Sequence, residues 1–282
     1  VSAIEKDNSF FVKAYLLFSV IYMLSMLFFG VEFGGRVTLS ETSNPNGDGL
    51  TLLFGIFCTL YLMDSKKIVR FIFSMALVGL LTHTIILTAS RKSFMAAILL
   101  IVFWLVLVFP KIWNGYSLMK KILSLTFIIV AAGVVFVEFV PSLLESTLYQ
   151  RLIQGMWITE DVTRMGMYRE GMKFFIENPL LGIGFKHYEL LSVYKTYSHS
   201  TYVEVLSTTG ILGTVIYFSA YLVIIYNLAS LYFKTKGTMT SVHSLNYLLL
   251  MFIMLALGTG VIHFYGIIYY IMFALMISFC HI

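Results

Sequence analysis

The chain has 282 residues, of which 59% are hydrophobic and only 12% are charged. Soluble domains carry about 25% charge, and the mean hydropathy here is +0.90, so a soluble globular protein is excluded and an integral membrane protein is expected. The net charge of +5 comes from basic residues split among short loops, which is no nucleic-acid-binding pattern.

Val1 opens the chain, and "VSAIEKDNSFFVKA" runs into a first apolar stretch with no cleavable signal pattern. The chain is expected to lack its own N-terminal part. At about 20 apolar residues per crossing, about eight spans are expected, at roughly 13–31, 50–63, 71–89, 93–109, 122–140, 201–233, 245–261 and 265–281. The second is short, and the sixth is long enough to require tilt or an extension beyond the bilayer. Cys58 and Cys280 lie in apolar runs without metal or redox spacing.

Lysine and arginine place the loops. Lys66, Lys67 and Arg70 follow the second span, Lys111, Lys120 and Lys121 flank the loop after the fourth, and Lys234 and Lys236 follow the sixth. These loops, with Lys6 and Lys13, define a cytoplasmic side. The opposite side then carries "EFGGRVTLSETSNPNGDG" (32–49), the sharp turn "ASRKS" (89–93) and a long loop, 141–200. The expected fold is a single all-α polytopic bundle, residues 1–282, with amphipathic helices in its one long external loop.

Within that loop, "EDVTRMGMYREGMKFFIENPLLGIGF" (160–185) reads as a helix with Asp161 or Thr163 as N-cap and Asn178-Pro179 as stop. At about 100° per residue, Met167, Tyr168, Gly171, Met172, Phe174 and Phe175 share one face. Arg169, Glu170, Lys173 and Glu177 share the other, where i,i+4 pairs form. Arg169 therefore reads as a solvated surface residue. Arg164 falls on the apolar face. It either snorkels at the helix start or needs a buried carboxylate, carbonyls or a bound anion, because a guanidinium keeps its charge.

Arg91 poses the same choice. It is either an interfacial anchor or the first residue of a span, facing the bundle interior. His199 stands at the external mouth of the sixth span in "SHSTYVEVLSTTGILG" (198–213), with short polar neighbours suited to a helix entrance. Ser207, Gly210 and Thr214 form a small-residue stripe, which assigns the glycine to helix packing. His199 has no such ordinary reason, and an imidazole can remove a proton from a hydroxyl near neutral pH.

"HSTYVEVLSTTGILG" resembles the histidine-centred signature of the O-antigen ligase and polysaccharide polymerase family. "TRMGMYREGMKFFIENPLLGIGF" is similar to the family's preceding segment, an arginine-started helix ending in Asn-Pro-Leu-x-Gly-x-Gly. "ASRKSFMAA" resembles its arginine-bearing helix start, and "SNPNGDG" its Pro-Asn external turn. The likeness covers about residues 30–235 in order. Two departures stand out. Ser200 follows the histidine where Asn is common, and the family usually has ten or more spans, which fits a missing N-terminal part.

The resemblance implies a GT-C-like, inverting, metal-independent glycosyltransferase without cofactor in the bacterial cytoplasmic (inner) membrane, its site on the extracytoplasmic side. The donor would be a glycan on undecaprenyl pyrophosphate, and the acceptor a second glycan or another acceptor. A chain-length regulator or a flippase would be the candidate protein partner. Carried over by position, Arg91 and Arg164 would hold the pyrophosphate, which suits bidentate guanidiniums, and His199 would be the base. Arg36, Tyr168, Lys186, Tyr197 and Tyr202 are candidates for sugar contact. Polymerase is preferred over ligase because every polymerised surface glycan of this route needs one. A transporter of lipid-linked glycans is the competing class, but it predicts charged or broken helices at the midplane, where His83 is the main polar candidate.

Overall fold

Lipid offers no partners to backbone N–H and C=O groups, so apolar runs close their hydrogen bonds internally as helices. The structure is a computed structural model, and it describes residues 3–41, 43–63, 68–114, 117–123, 125–126, 144–153, 160–260 and 266–280. Helix α1 (Ala3–Phe29) leads into a short antiparallel hairpin, β1 (Val31–Phe33) and β2 (Arg36–Thr38). There follow α2 (Pro45–Tyr61), α3 (Ile68–Leu87) and α4 (Arg91–Phe103). The last continues through a π-helical turn, Trp104–Val108, into α5 (Phe109–Trp113). Pro110 has no N–H for the ladder there, and the turn widens to accommodate it. Next come α6 (Thr147–Ile153), α7 (Glu160–Glu177), α8 (His187–Leu191), α9 (Thr201–Lys234), α10 (Met239–Leu257) and α11 (Ile267–Cys280).

Among the described residues, five helices are long and apolar enough to cross a membrane: Ser9–Phe29, Val69–Leu87, Arg91–Trp113, Thr201–Lys234 and Met239–Leu257. The protein is a multi-pass, predominantly helical membrane bundle. The expected span 50–63 is the 17-residue α2, buried at every position from Asp48 to Tyr61, a central post of the bundle. The expected span 265–281 is the shorter, 14-residue α11. Most of the expected span 122–140 lies outside the described residues. The hairpin is a further addition, since residues 32–49 read as loop.

Helix α2 packs against α1, α3, α4 and α10, and α10 packs in turn against α4 and α9. The core between them is aromatic at one end: Tyr61 stacks on His243 at 4.3 Å, and Tyr247 lies 5.0 Å from both Tyr61 and Phe279. The start of α2 is set by "SNPNGDG". Asn44 caps it by accepting the N–H of Asn46 at 3.0 Å, and Pro45 occupies the first turn. Asp48, buried, accepts from Tyr22 at 2.7 Å and from Ser43 at 3.2 Å. A Cβ on Gly49 would stand 2.8 Å from the Ser93 hydroxyl, so glycine lets α2 and α4 meet closely beside Arg91.

The stripe at 207–214 does not explain Gly210, whose φ is +63° and which breaks α9. Across the break the N–H groups of Ile211 and Leu212 donate not to the preceding turn but to the carbonyls of Pro179 (2.9 Å) and Leu180 (3.3 Å). The carbonyls so released, Ser207 and Thr208, accept from Ile183 and Gly184, both at 2.9 Å. The "NPLLGIG" loop is thus spliced into the helix ladder, with four bonds to the loop in place of two helical ones. A Cβ on Gly210 would collide with the Leu180 backbone, and left-handed backbone is costly for other residues.

Candidate active site

Helix α7 lies across the first turns of α9. Its phase follows the wheel: Met167 and Gly171 are buried, Phe174 and Phe175 half-buried, Arg164 half-buried and Arg169 exposed. Lys173 and Glu177 pair at 3.9 Å on the solvent side. Three details are corrected. The helix already begins at Glu160, so Asp161 and Thr163 lie inside it rather than capping it. Met172, expected inside, is exposed. Glu170, expected in solvent, reaches back to accept from Ser192 Oγ (2.5 Å) and Val193 N–H (3.0 Å). It closes the 178–193 segment over Tyr188, whose hydroxyl donates to the Met167 carbonyl at 2.6 Å. Burial, with the Glu170 carboxylate second, pushes the Tyr188 phenol well above its usual range.

The C-terminal end of α10 holds the site together. The N–H groups of Gly258, Thr259 and Gly260 cap the last carbonyls of α10, from Met254 to Leu257. The carbonyls of these three capping residues in turn collect donors from three distant segments. Lys92 Nζ donates to Gly260, and Tyr168 donates to Thr259 at 3.1 Å. The backbone N–H of Thr201 (2.8 Å) and the Ser200 hydroxyl (3.3 Å) both donate to Gly258. The start of α4, the middle of α7 and the start of α9 are thereby drawn to one place.

His199 sits half-buried in the turn before α9 with φ +58°. Ser200 caps the helix by accepting from Val203 N–H at 3.5 Å. The turn is braced by Glu204, 1% exposed, whose carboxylate accepts the Ser198 N–H at 2.9 Å. The ring of Tyr197 lies 4.3 Å from that of His199.

Two cavities meet here. One, of about 760 Å³, is lined by Arg91, Lys92, Arg164 and Tyr168 above an apolar wall that includes Met95, Leu99 and Leu257. The other, of about 450 Å³, is lined by Asn44, Asn46, Tyr197, His199, Lys92 and Arg164, among others. Arg164, Lys92 and Gly260 belong to both. Arg91, the first residue of α4, shares the larger cavity with Arg164, and His199 shares the smaller one with it. Among the described residues no group of three His, Cys, Asp or Glu could hold a metal ion.

The remaining candidates divide. Tyr168 and Tyr197 line cavities. Arg36 donates instead to the Thr88 carbonyl (2.9 Å) and to Asn46 Oδ1 (3.1 Å), so it steadies a residue of the cavity wall without lining it. Tyr202 donates to the Leu255 carbonyl at 2.8 Å and stacks on Phe218, and Lys186 is exposed at the start of α8; neither lines the two cavities. Lys92, Asn46, Glu204 and the end of α10 were not singled out from sequence. Lys92 is adjacent to Arg91, but its direction depends on a helix end 168 positions away.

Residues 76–218 match the sequence profile of the family described as O-antigen ligase. The chain belongs to the O-antigen ligase family. Membership carries the coarse function, a membrane enzyme acting on O-antigen-type glycan. The matched segment contains Arg91, Arg164 and His199, whereas Asn44, Asn46 and Gly260 of the cavity walls lie outside it. A search of curated protein sequences found no match.

Proposed function

We propose that the protein polymerises lipid-linked oligosaccharide repeat units into a surface polysaccharide, with undecaprenyl pyrophosphate as the leaving lipid carrier. The observation that carries this reading is the position of Arg164 on both cavities, beside Arg91 in one and His199 in the other. The larger cavity, cationic at its head and apolar along its wall, takes the donor. The smaller one, with Asn44, Asn46 and Tyr197, takes the acceptor sugar.

The acceptor hydroxyl gives its proton to the His199 imidazole as its oxygen bonds to the anomeric carbon of the donor. The bond from that carbon to the pyrophosphate oxygen breaks on the opposite face, the electron pair leaves with the phosphate, and the anomeric configuration inverts. General-base help of this kind contributes about 10²–10⁴-fold. Guanidiniums of Arg91 and Arg164 take up the charge on the leaving group bidentately, so the transfer proceeds without a divalent metal. The reaction belongs on the extracytoplasmic face of the bacterial inner membrane, where a flippase delivers donor and a chain-length regulator acts.

The family's description favours a second reading, in which the same chemistry ligates the glycan to a different acceptor. Protein reconstituted in vesicles with undecaprenyl-pyrophosphate-linked repeat units and chelator distinguishes the two. A ladder of products spaced by one repeat unit supports polymerisation. Transfer only when a foreign acceptor is added supports ligation, and a requirement for added metal contradicts the role given to the arginines.

A further inference from the structure

We infer that residues 179–185 of the long loop are inserted in the bilayer, with Leu180, Leu181 and Phe185 among lipid acyl chains. The ligand is the membrane itself, on the side where the candidate site opens. The inference rests on the multi-pass architecture and not on the polymerase reading.

The loop exposes three large apolar side chains close together: Leu180 is 63% exposed, Leu181 73% and Phe185 63%. A patch of this kind on a watery surface marks an interaction site. What covers it follows from its attachment. Pro179 and Leu180 are hydrogen-bonded directly to Ile211 and Leu212 of α9. From there the exposed face of α9 runs on through Ile211, Leu212, Val215, Ile216, Leu222 and Val223, which is the lipid-facing surface of a crossing helix. The loop is thus bonded to α9 at the start of that surface.

Depth agrees. From Ile211 to Lys234, α9 is about 36 Å long at 1.5 Å per residue, against a hydrocarbon core of about 30 Å. With Lys234 at the opposite edge and the tilt that this excess length calls for, the break at Gly210 falls at the edge of the core, and the loop bonded to it lies at the same level. Irregular backbone is tolerated there only if its polar groups are paired. The splice supplies such a pair at five of the seven loop residues: Gly182 N–H bonds the Asn178 carbonyl at 2.9 Å, and Ile183, Gly184, Pro179 and Leu180 bond α9. Exposed Glu177 and Lys186 bracket the apolar run, as charges do where a segment leaves the membrane. The loop follows α7 and precedes the His199 turn, so its insertion fixes the height of Arg164 and His199 above the lipid.

Nitroxide labels test this in protein reconstituted in lipid nanodiscs, on a Cys58→Ala, Cys280→Ala background, at Leu181→Cys, Glu177→Cys and Ile216→Cys. The label at 181 is expected to collide preferentially with oxygen, as at 216, and the label at 177 with a water-soluble nickel complex. A label at 181 that behaves like the one at 177 overturns the inference. Shielding of 181 from both reagents also overturns it, in favour of a protein partner on the patch. An apolar aryl diazirine applied to the unsubstituted protein in vesicles gives a second reading. Adducts are expected in the peptide containing 179–185 as well as in 211–226, and adducts in the latter alone contradict insertion.

Discussion

The carboxylate of Glu204 accepts the backbone N–H of Ser198 at 2.9 Å, and the turn it braces places His199 in a left-handed conformation. Glu204 stands one turn into α9, so the first turn of the helix holds the residue that precedes it. The histidine is presented by a small closed unit, which Ser198 completes by donating to the Ser200 carbonyl at 2.9 Å.

Glu204→Ala leaves the buried Ser198 N–H without that acceptor, at a cost of about 1–3 kcal/mol. The expected outcome is a lower thermal midpoint and a turnover number reduced at least tenfold, with the KM for the lipid-linked donor less affected. Glu204→Gln keeps an acceptor oxygen in place and should recover most of both. Equal loss in the two variants would show that the charge, not the brace, matters.

Gly210→Ala should be among the most damaging single changes outside the cavities. It forces a Cβ onto a left-handed residue against the Leu180 backbone, and strain of this kind costs about 1–3 kcal/mol before any clash. Gly79→Ala in α3 is the matched control, since nothing lies within 4 Å of its added Cβ. Thermal unfolding in detergent should separate the two, with Gly79→Ala neutral or slightly stabilising.

Much of the fold is legible from residue order because the relevant signals are local. Asn178-Pro179 stops α7, Ser200 opens α9, and the phase that turns Arg164 inward and Arg169 outward depends only on 3.6-residue periodicity. What escapes is settled by distant partners. A glycine in an apolar helix reads as packing, and nothing nearby in sequence shows that a loop some thirty positions earlier will replace its hydrogen bonds. Glu170 belongs to a polar face, yet it is drawn inward by Ser192 and Val193. Arg36 is taken up by Thr88 and Asn46, a pairing that only the packing of the hairpin beside α2 reveals.

Arg164→Lys and Arg169→Lys test the helix phase in function. Arg164 lines both cavities, and a lysine there keeps the charge but not the planar fork. Transfer should fall by at least 10²-fold, a difference of about 2.7 kcal/mol at 1.36 kcal/mol per tenfold. Arg169 is exposed, and its replacement should change transfer by less than twofold. The reverse ranking would remove Arg164 from the site.

Topology is open to a thiol test. Cysteines at Lys120 and Lys173, in a background without native cysteines, should report opposite sides of the membrane. Lys173 is 72% exposed on α7, and it is expected to react with an impermeant reagent on intact cells, whereas position 120 should react only after permeabilisation. Labelling at 120 alone would invert the assignment of sides.

The central claim is that His199 removes the acceptor proton while Arg91 and Arg164 hold the leaving pyrophosphate. The most direct measurement is single-turnover glycan transfer by purified His199→Ala in vesicles, with lipid-linked donor and acceptor saturating and chelator present. Thermal unfolding run in parallel shows that the variant is folded. The account predicts that the transfer rate falls by about 10²–10⁴-fold, with donor binding largely retained because the arginines are intact. A folded His199→Ala protein that transfers glycan at the wild-type rate would contradict it.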